Sequence, residues 1–255
     1  MEDETVSPKP GISIICIEGG IGAGKSTALA KLKDERPDLV YVDEPVDAWE
    51  RAGLLQGMYE GKLSHAVFQQ QALMSRAGLL LEAIQKGAQI IVTERSPWSD
   101  RHVFAEANLT DTLEKKAYDL TFDFLMRALP KPVNLHLIYL SASVEELGKR
   151  IERRGREAEV DSVAVDTKYL KRLNKLHENL WKSSLVCNEF STRTRIDTTA
   201  MSPFHVQQTV LDTIHRIAGE CCLTPKRTRD EAMKQELLSC PRTSTKPSAY
   251  GEVQA

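Results

Sequence analysis

The chain has 255 residues, 41% apolar and 27% charged, the range of a globular protein able to bury one substantial core. Its 34 basic and 36 acidic side chains leave a net charge of −2, so no overall field draws it to nucleic acid or to an anionic membrane. Five cysteines, odd in number and without metal-ligand spacing, exclude a disulfide framework and fit reduced thiols.

Residues 1–11 read as a flexible, Pro-containing leader whose acidic start carries neither a signal core nor transit character, so a cytoplasmic location is expected. No run approaches the ~20 apolar residues of a membrane span. Ile12 to Ile17 reads as a strand buried on both faces, which implies a parallel sheet. It runs into Glu18-Gly19-Gly20-Ile21-Gly22-Ala23-Gly24-Lys25-Ser26-Thr27, and a helix-compatible stretch leaves from Ala28. This is G-x-x-x-x-G-K-[ST] between strand and helix, the phosphate loop. Its glycines let successive N–H groups converge on phosphate oxygens, and the helix N-terminus adds partial positive charge. Lys25 is suited to the β- and γ-phosphates, and Ser26 to Mg²⁺.

Leu39 to Val42 is a second strand that ends at Asp43-Glu44-Pro45, which puts the Glu44 carboxylate at the sheet edge where ligands bind. Asp47 to Gly57 reads as one helix. Ser64 to Lys86 reads as a long one, with Ser64 as N-cap and Gly87 as stop. Gln69, Ala72, Leu73 and Arg76 share a face of it, and spacing alone favours surface fringe over a recognition face. A third strand, Gln89 to Thr93, runs into Glu94-Arg95-Ser96. Leu113 to Leu129 is helical, Asn134 to Leu140 a fourth strand, and a helix from Ser143 ends in Arg150, Arg153, Arg154 and Arg156. Beside a phosphate loop, those arginine forks read as a lid over ATP. A helix from Asp166 to Val186, a last strand from Thr194 to Asp197 and a helix from Pro203 to Ala218 complete a domain over 12–220. From 221 to 255 the chain reads as a disordered tail. Its Pro225-Lys226-Arg227-Thr228-Arg229 cluster is a solvated charge run before it is a nuclear address or nucleic-acid contact.

Together these motifs resemble the deoxynucleoside kinase family that includes deoxycytidine, deoxyguanosine and mitochondrial thymidine kinases. The resemblance runs from about Ile12 to Ala218. Besides the loop it rests on Glu44-Pro45-Val46 with Trp49, Met58-Tyr59-Glu60, Phe68-Gln69 with Ser75-Arg76, Glu94-Arg95-Ser96 with Ser99-Asp100-Arg101, the arginine lid ending in Glu159, and Leu176-His177-Glu178 with Trp181. It implies an α/β phosphate-loop kinase with about five parallel strands flanked by helices and an arginine-rich lid. It also implies ATP-dependent phosphorylation of a deoxynucleoside 5′-hydroxyl, with Mg²⁺, in a homodimer. By the same resemblance Glu44 is the general base, Arg95 the cation at the reacting oxygens, and Glu94 serves Mg²⁺ with Ser26. Gln69 pairs with the nucleobase between the walls Trp49, Phe68 and Phe104. Tyr59 and Glu159 hold the 3′-hydroxyl, and Arg150, Arg154 and Arg156 clamp phosphates with Gly19 to Thr27. Ala72, Arg76 and Asp100 occupy the positions that divide the family, and the Arg and Asp pair implies deoxycytidine or purine deoxynucleosides over thymidine.

Three departures stand out: Gly20 where the family usually has Asn, Pro97-Trp98 where it has an aliphatic residue and Tyr, and a longer segment from Val160 to Val165. The bulkier ring at 98 is expected to reshape the base pocket. The alternatives are a thymidine kinase of the same family, a nucleoside monophosphate kinase, or a phosphate-loop switch or nucleic-acid-binding module. A monophosphate kinase needs cations at the acceptor, where this chain puts Glu44.

Overall fold

The computed structural model describes residues 11–130, 133–155, 166–183 and 189–223. Five strands, β1 (Ile12–Gly19), β2 (Val40–Val42), β3 (Ile90–Glu94), β4 (Val133–Ser141) and β5 (Phe190–Asp197), form one parallel sheet in the order β2-β3-β1-β4-β5. The near-continuous apolar runs of β1 and β4 follow from burial on both faces. Ile14 and Cys16 of β1 join Ile91, Leu135 and Leu137 in one core, while Ile15 and Ile17 join Val92, Ile138 and Leu140 in the other. Each fully buried Ile or Leu contributes roughly 1.5–3 kcal/mol before the entropy of ordering is set against it.

The helices are α1 (Lys25–Glu35), α2 (Val46–Arg51), α3 (Leu54–Tyr59), α4 (His65–Gln85), α5 (97–108), α6 (Thr112–Ala128), α7 (Val144–Arg154), α8 (Thr167–Lys182) and α9 (Pro203–Leu223). Helix α1 begins at Lys25, three residues earlier than its apolar pattern suggests, because the phosphate loop leads directly into its first turn. The single helix expected over 47–57 is two, broken by Gly53 in the left-handed region at φ 69°. Ser64 caps α4 by accepting from the Val67 amide at 3.3 Å. Helix α8 ends at Lys182, short of the expected Val186, and β5 starts at Phe190, four residues ahead of the expected Thr194. Helix α9 extends to Leu223, beyond the expected Ala218 and into the stretch assigned to the tail.

Helix α5 has no counterpart in the sequence reading. It opens as an α-turn (Pro97–Ser99), capped reciprocally by Ser96 and Ser99, widens into a π-helix (Asp100–Ala105), and closes as α (Glu106–Asn108). Such wide turns gather at functional sites because the extra residue re-aims the side chains around it. Among the described residues, no helix is long and apolar enough to cross a membrane. Residues 1–10 of the expected leader, 224–255 of the expected tail with its 225–229 cluster, the 160–165 segment, and Arg156 and Glu159 lie outside the described residues.

Candidate active site

At the carboxyl ends of β1, β2 and β3 the protein forms a cleft of about 500 Å³. One end is lined by Ile21, Gly22, Ala23, Gly24, Lys25, Ser26 and Thr27, and the other by Trp49, Tyr59, Phe68, Gln69, Ala72, Arg76 and Phe104, with Glu44, Glu94 and Arg95 between them. Gly19 and Gly20 do not reach its wall; their carbonyls turn inward and accept from Lys25 Nζ at 3.2 and 3.0 Å. Gly22 cannot be replaced freely, because it sits at φ 80° and a Cβ there would lie 2.9 Å from the Leu147 carbonyl of α7. A Cβ at Gly20 would lie 2.9 Å from Leu147 Cδ1, so the space of the family's Asn is filled by that leucine.

The centre of the cleft is a charge cluster. Arg95 follows β3 at φ 66°, a strained setting for a residue with a side chain. Its amide donates to Ile17 O at 3.0 Å, its Nη1 to Gly19 O at 3.0 Å and its Nε to Glu44 Oε2 at 3.1 Å, while its guanidinium lies 4.6 Å from the Phe104 ring centre. Arg76 donates to the other Glu44 oxygen, pairs through Nη1 with Asp100, and lies 5.0 Å from the Trp49 ring. Burial alone would push the Glu44 carboxyl up, but Arg95, then Arg76 and Lys25, outweigh it and hold the group at about 2. Burial, reinforced by Arg95, lowers Lys25 to about 8. Ser26 Oγ donates to Glu94 Oε1 at 2.9 Å, which sets a hydroxyl and a carboxylate side by side as hard oxygen donors.

Sequence spacing misjudged α4. Gln69 and Arg76, read as surface fringe, are 3% and 6% exposed and face the cleft. Asp100, expected to touch substrate, is fully buried behind Arg76 and does not line the cleft. Arg150 lines it, yet its guanidinium is spent on Glu146 Oε1 at 2.8 Å and on Thr198, whose carbonyl and hydroxyl accept at 2.6 and 3.1 Å. It ties α7 to the loop after β5, and Arg154, one turn further along α7, also lines the cleft. Trp98 does not reshape the pocket: it is buried, meets Phe190 of β5 edge-on at 5.7 Å, and does not line the cleft.

Sequence reasoning missed Met201, Pro203, Val206 and Gln207, which line the phosphate-loop end, and Gln207 Nε2 reaches Thr27 O at 3.3 Å. It also missed Tyr169, whose hydroxyl accepts from Asn108 Nδ2 at 3.1 Å. Those contacts arise between elements far apart in sequence, and no local motif marks them.

Residues 15–218 match the family described as Deoxynucleoside kinase. A protein of Invertebrate iridescent virus 6 that carries a kinase name is 34% identical over 187 residues, which is 73% of this chain and 89% of that protein. Bovine (Bos taurus) deoxycytidine kinase is 32% identical over 197 residues, covering 66% of this chain and 75% of its own. Among solved structures, that of a deoxyadenosine kinase from M. mycoides with bound dATP superposes with a TM-score of 0.64, at 23% identity, over 79% of this chain and 99% of that one.

Proposed function

The chain belongs to the deoxynucleoside kinase family, and on that footing we propose that it moves the γ-phosphoryl of ATP to the 5′-hydroxyl of a deoxynucleoside, with deoxycytidine or a purine deoxynucleoside preferred. The observation that carries this reading is Glu44, a carboxylate at the end of β2 lying between a phosphate loop and an aromatic pocket. A monophosphate acceptor would need free cations there, whereas Arg76 and Arg95 are committed to Glu44 and Asp100.

In this reading the backbone of the loop from Ile21 to Thr27 cradles the ATP phosphates, and Lys25 leaves the Gly19 and Gly20 carbonyls to bind them. The anionic phosphates restore the Lys25 charge that burial weakens. Glu44 accepts the 5′-hydroxyl proton. A carboxylate held near 2 is a weak base, and that suits a loose transition state in which the proton leaves late. Arg95, bonded to Glu44 on one side and to Gly19 O on the other, sits where charge develops on the transferred group. Ser26 and Glu94 would hold Mg²⁺, which supplies charge neutralisation at the phosphates when bound. Trp49 and Phe68, edge-to-face at 5.4 Å, and Phe104 wall the base, and the Gln69 amide presents donor and acceptor to its edge. Tyr59 faces the sugar. Arg76, held from behind by Asp100, fills the end of the base pocket where a 5-methyl group would sit.

A dimer is part of the proposal. Val67 and Met74 of α4 and Leu113, Leu120 and Phe124 of α6 are exposed on two helices joined by the Gln70 to Thr121 hydrogen bond, and Leu120 and Phe124 are 71% and 64% exposed. That apolar face fits a second copy across a twofold axis.

The test is a product assay with ATP, Mg²⁺ and each of the four deoxynucleosides, alongside deoxycytidine monophosphate. A 5′-monophosphate from deoxycytidine or a purine deoxynucleoside is expected. Turnover of the monophosphate alone, or of thymidine best, would overturn the reading or its base preference respectively.

A further inference from the structure

Helix α7 lies directly against the phosphate loop: a Cβ built on Gly22 would come within 2.9 Å of the Leu147 carbonyl and 3.5 Å of Arg150 Cβ. The Arg150 stem therefore starts beside the loop, yet its head is bonded elsewhere. Nη2 donates to Thr198 O at 2.6 Å, Nη1 to Thr198 Oγ1 at 3.1 Å and Nε to Glu146 Oε1 at 2.8 Å. Those bonds occupy the planar fork that a phosphate would need, and the Glu146 carboxylate offsets the charge that would attract one.

Thr198 is anchored in turn. It is fully buried, does not line the cleft, and donates from both its amide and its hydroxyl to Ser141 O at the end of β4, at 2.8 and 3.1 Å. Thr199 Oγ1 accepts from the Ser143 amide at 3.1 Å, where α7 begins. Further along the same loop and into α9, Met201, Pro203 and Val206 line the cleft, and Gln207 reaches Thr27 O. Apolar side chains cannot satisfy phosphate oxygens. Set beyond the amides that can, they suit the faces of a flat heteroaromatic ring.

We propose that Arg150 is a positioning residue and not a phosphate clamp: by latching α7 to Thr198 it sets the loop from Thr198 to Pro203 as the wall against which the base of the donor nucleotide packs. The proposal rests on ATP being the donor. Recognition of ATP is then divided, with the phosphates held by the loop amides and Lys25, and the base by a surface that Arg150 keeps in place through Thr198. Removing the guanidinium releases that surface while leaving the amides of Ile21 to Thr27 where they are. The loss should therefore follow the base of the ligand and not its phosphates.

Calorimetry with ATP and with inorganic tripolyphosphate, each with Mg²⁺ and without nucleoside, separates the two roles. Arg150→Met should weaken ATP about tenfold, the scale of lost charge-assisted hydrogen bonds, and tripolyphosphate by less than about twofold. Steady-state rates should carry the same loss in KM for ATP, with kcat and the KM for nucleoside within about threefold of the parent. Thr198→Val alters a residue that does not line the cleft, and it should weaken ATP selectively too. The double variant should lie within about twofold of Arg150→Met alone, because both changes break one contact. Equal losses of ATP and tripolyphosphate would make Arg150 a phosphate ligand and overturn the proposal, as would an unchanged ATP affinity in either folded variant or additive losses in the double. A parent that binds tripolyphosphate but not ATP would fail the donor reading itself, and the latch with it. Should Arg150→Met not fold, the ATP and tripolyphosphate affinities of Thr198→Val decide alone.

Discussion

Lys25 is buried and held by two loop carbonyls, so its loss removes a cation without opening the core. Lys25→Ala should abolish phosphoryl transfer mainly through kcat, in a protein that circular dichroism shows to be folded; activity within a few-fold of the parent would refute that role. Glu44→Gln should keep nucleoside affinity and slow turnover by about 10²- to 10⁴-fold, the usual contribution of a positioned base. Lost binding by calorimetry, with chemistry intact in the residual complex, would make Glu44 a binding residue. At this scale the sequence was legible where placement is local: Lys25 and Ser26 reach the cleft by loop spacing, and Glu44 by the end of its strand. Periodicity alone left Gln69 and Arg76 illegible, and it was the family resemblance that put them at the pocket, because helical periodicity separates apolar from polar faces, and a polar side chain facing a cleft has the same signature as one facing water. Asp100 shows the converse limit, since its position is known from motif alignment but its burial behind Arg76 depends on how the π-helix turns it.

Among the elements, the strands were the most legible, because β1, β3 and β4 are buried on both faces and read as apolar runs bounded by turns or charge. The helices were less so. A glycine in the left-handed region split 47–57, and α5 defeated periodicity because a π-wound segment has neither the 3.6-residue repeat nor a strand's alternation. The α4 and α6 pair carries a prediction of its own. Leu120 and Phe124 contact solvent on one face of α6, so Leu120→Glu with Phe124→Glu should leave the fold intact while converting a dimer to a monomer, read by light scattering across a concentration series. A parent protein that is already monomeric at micromolar concentration would exclude this face as the twofold contact.

For the molecule as a whole, the buried titratable groups set how stability responds to acid. His177 in the fold takes a proton only near pH 3, while an exposed histidine takes one near 6.5. Across that window the unfolded chain binds the extra proton, so stability falls as pH drops from 6.5 toward 3, by up to ~1.4 kcal/mol per pH unit. Glu44, held at about 2, adds a second loss that begins below the ordinary 4.5 of a glutamate. Denaturant titrations between pH 7 and 5 should therefore show a slope in the parent that His177→Gln flattens; parallel curves would count against a neutral buried imidazole. Much of the architecture was legible at this scale, since a parallel sheet with a phosphate loop admits few arrangements, whereas the loop after β5 and its tie to Arg150 were not, being set by packing across some fifty residues. The double grip of Arg76 and Arg95 on Glu44 has an economic consequence for the cell. With no nucleoside aboard, both oxygens of Glu44 are held, so a stray water finds no free oxygen on the proposed base, and ATP bound to the idle protein should persist rather than leak away as futile hydrolysis.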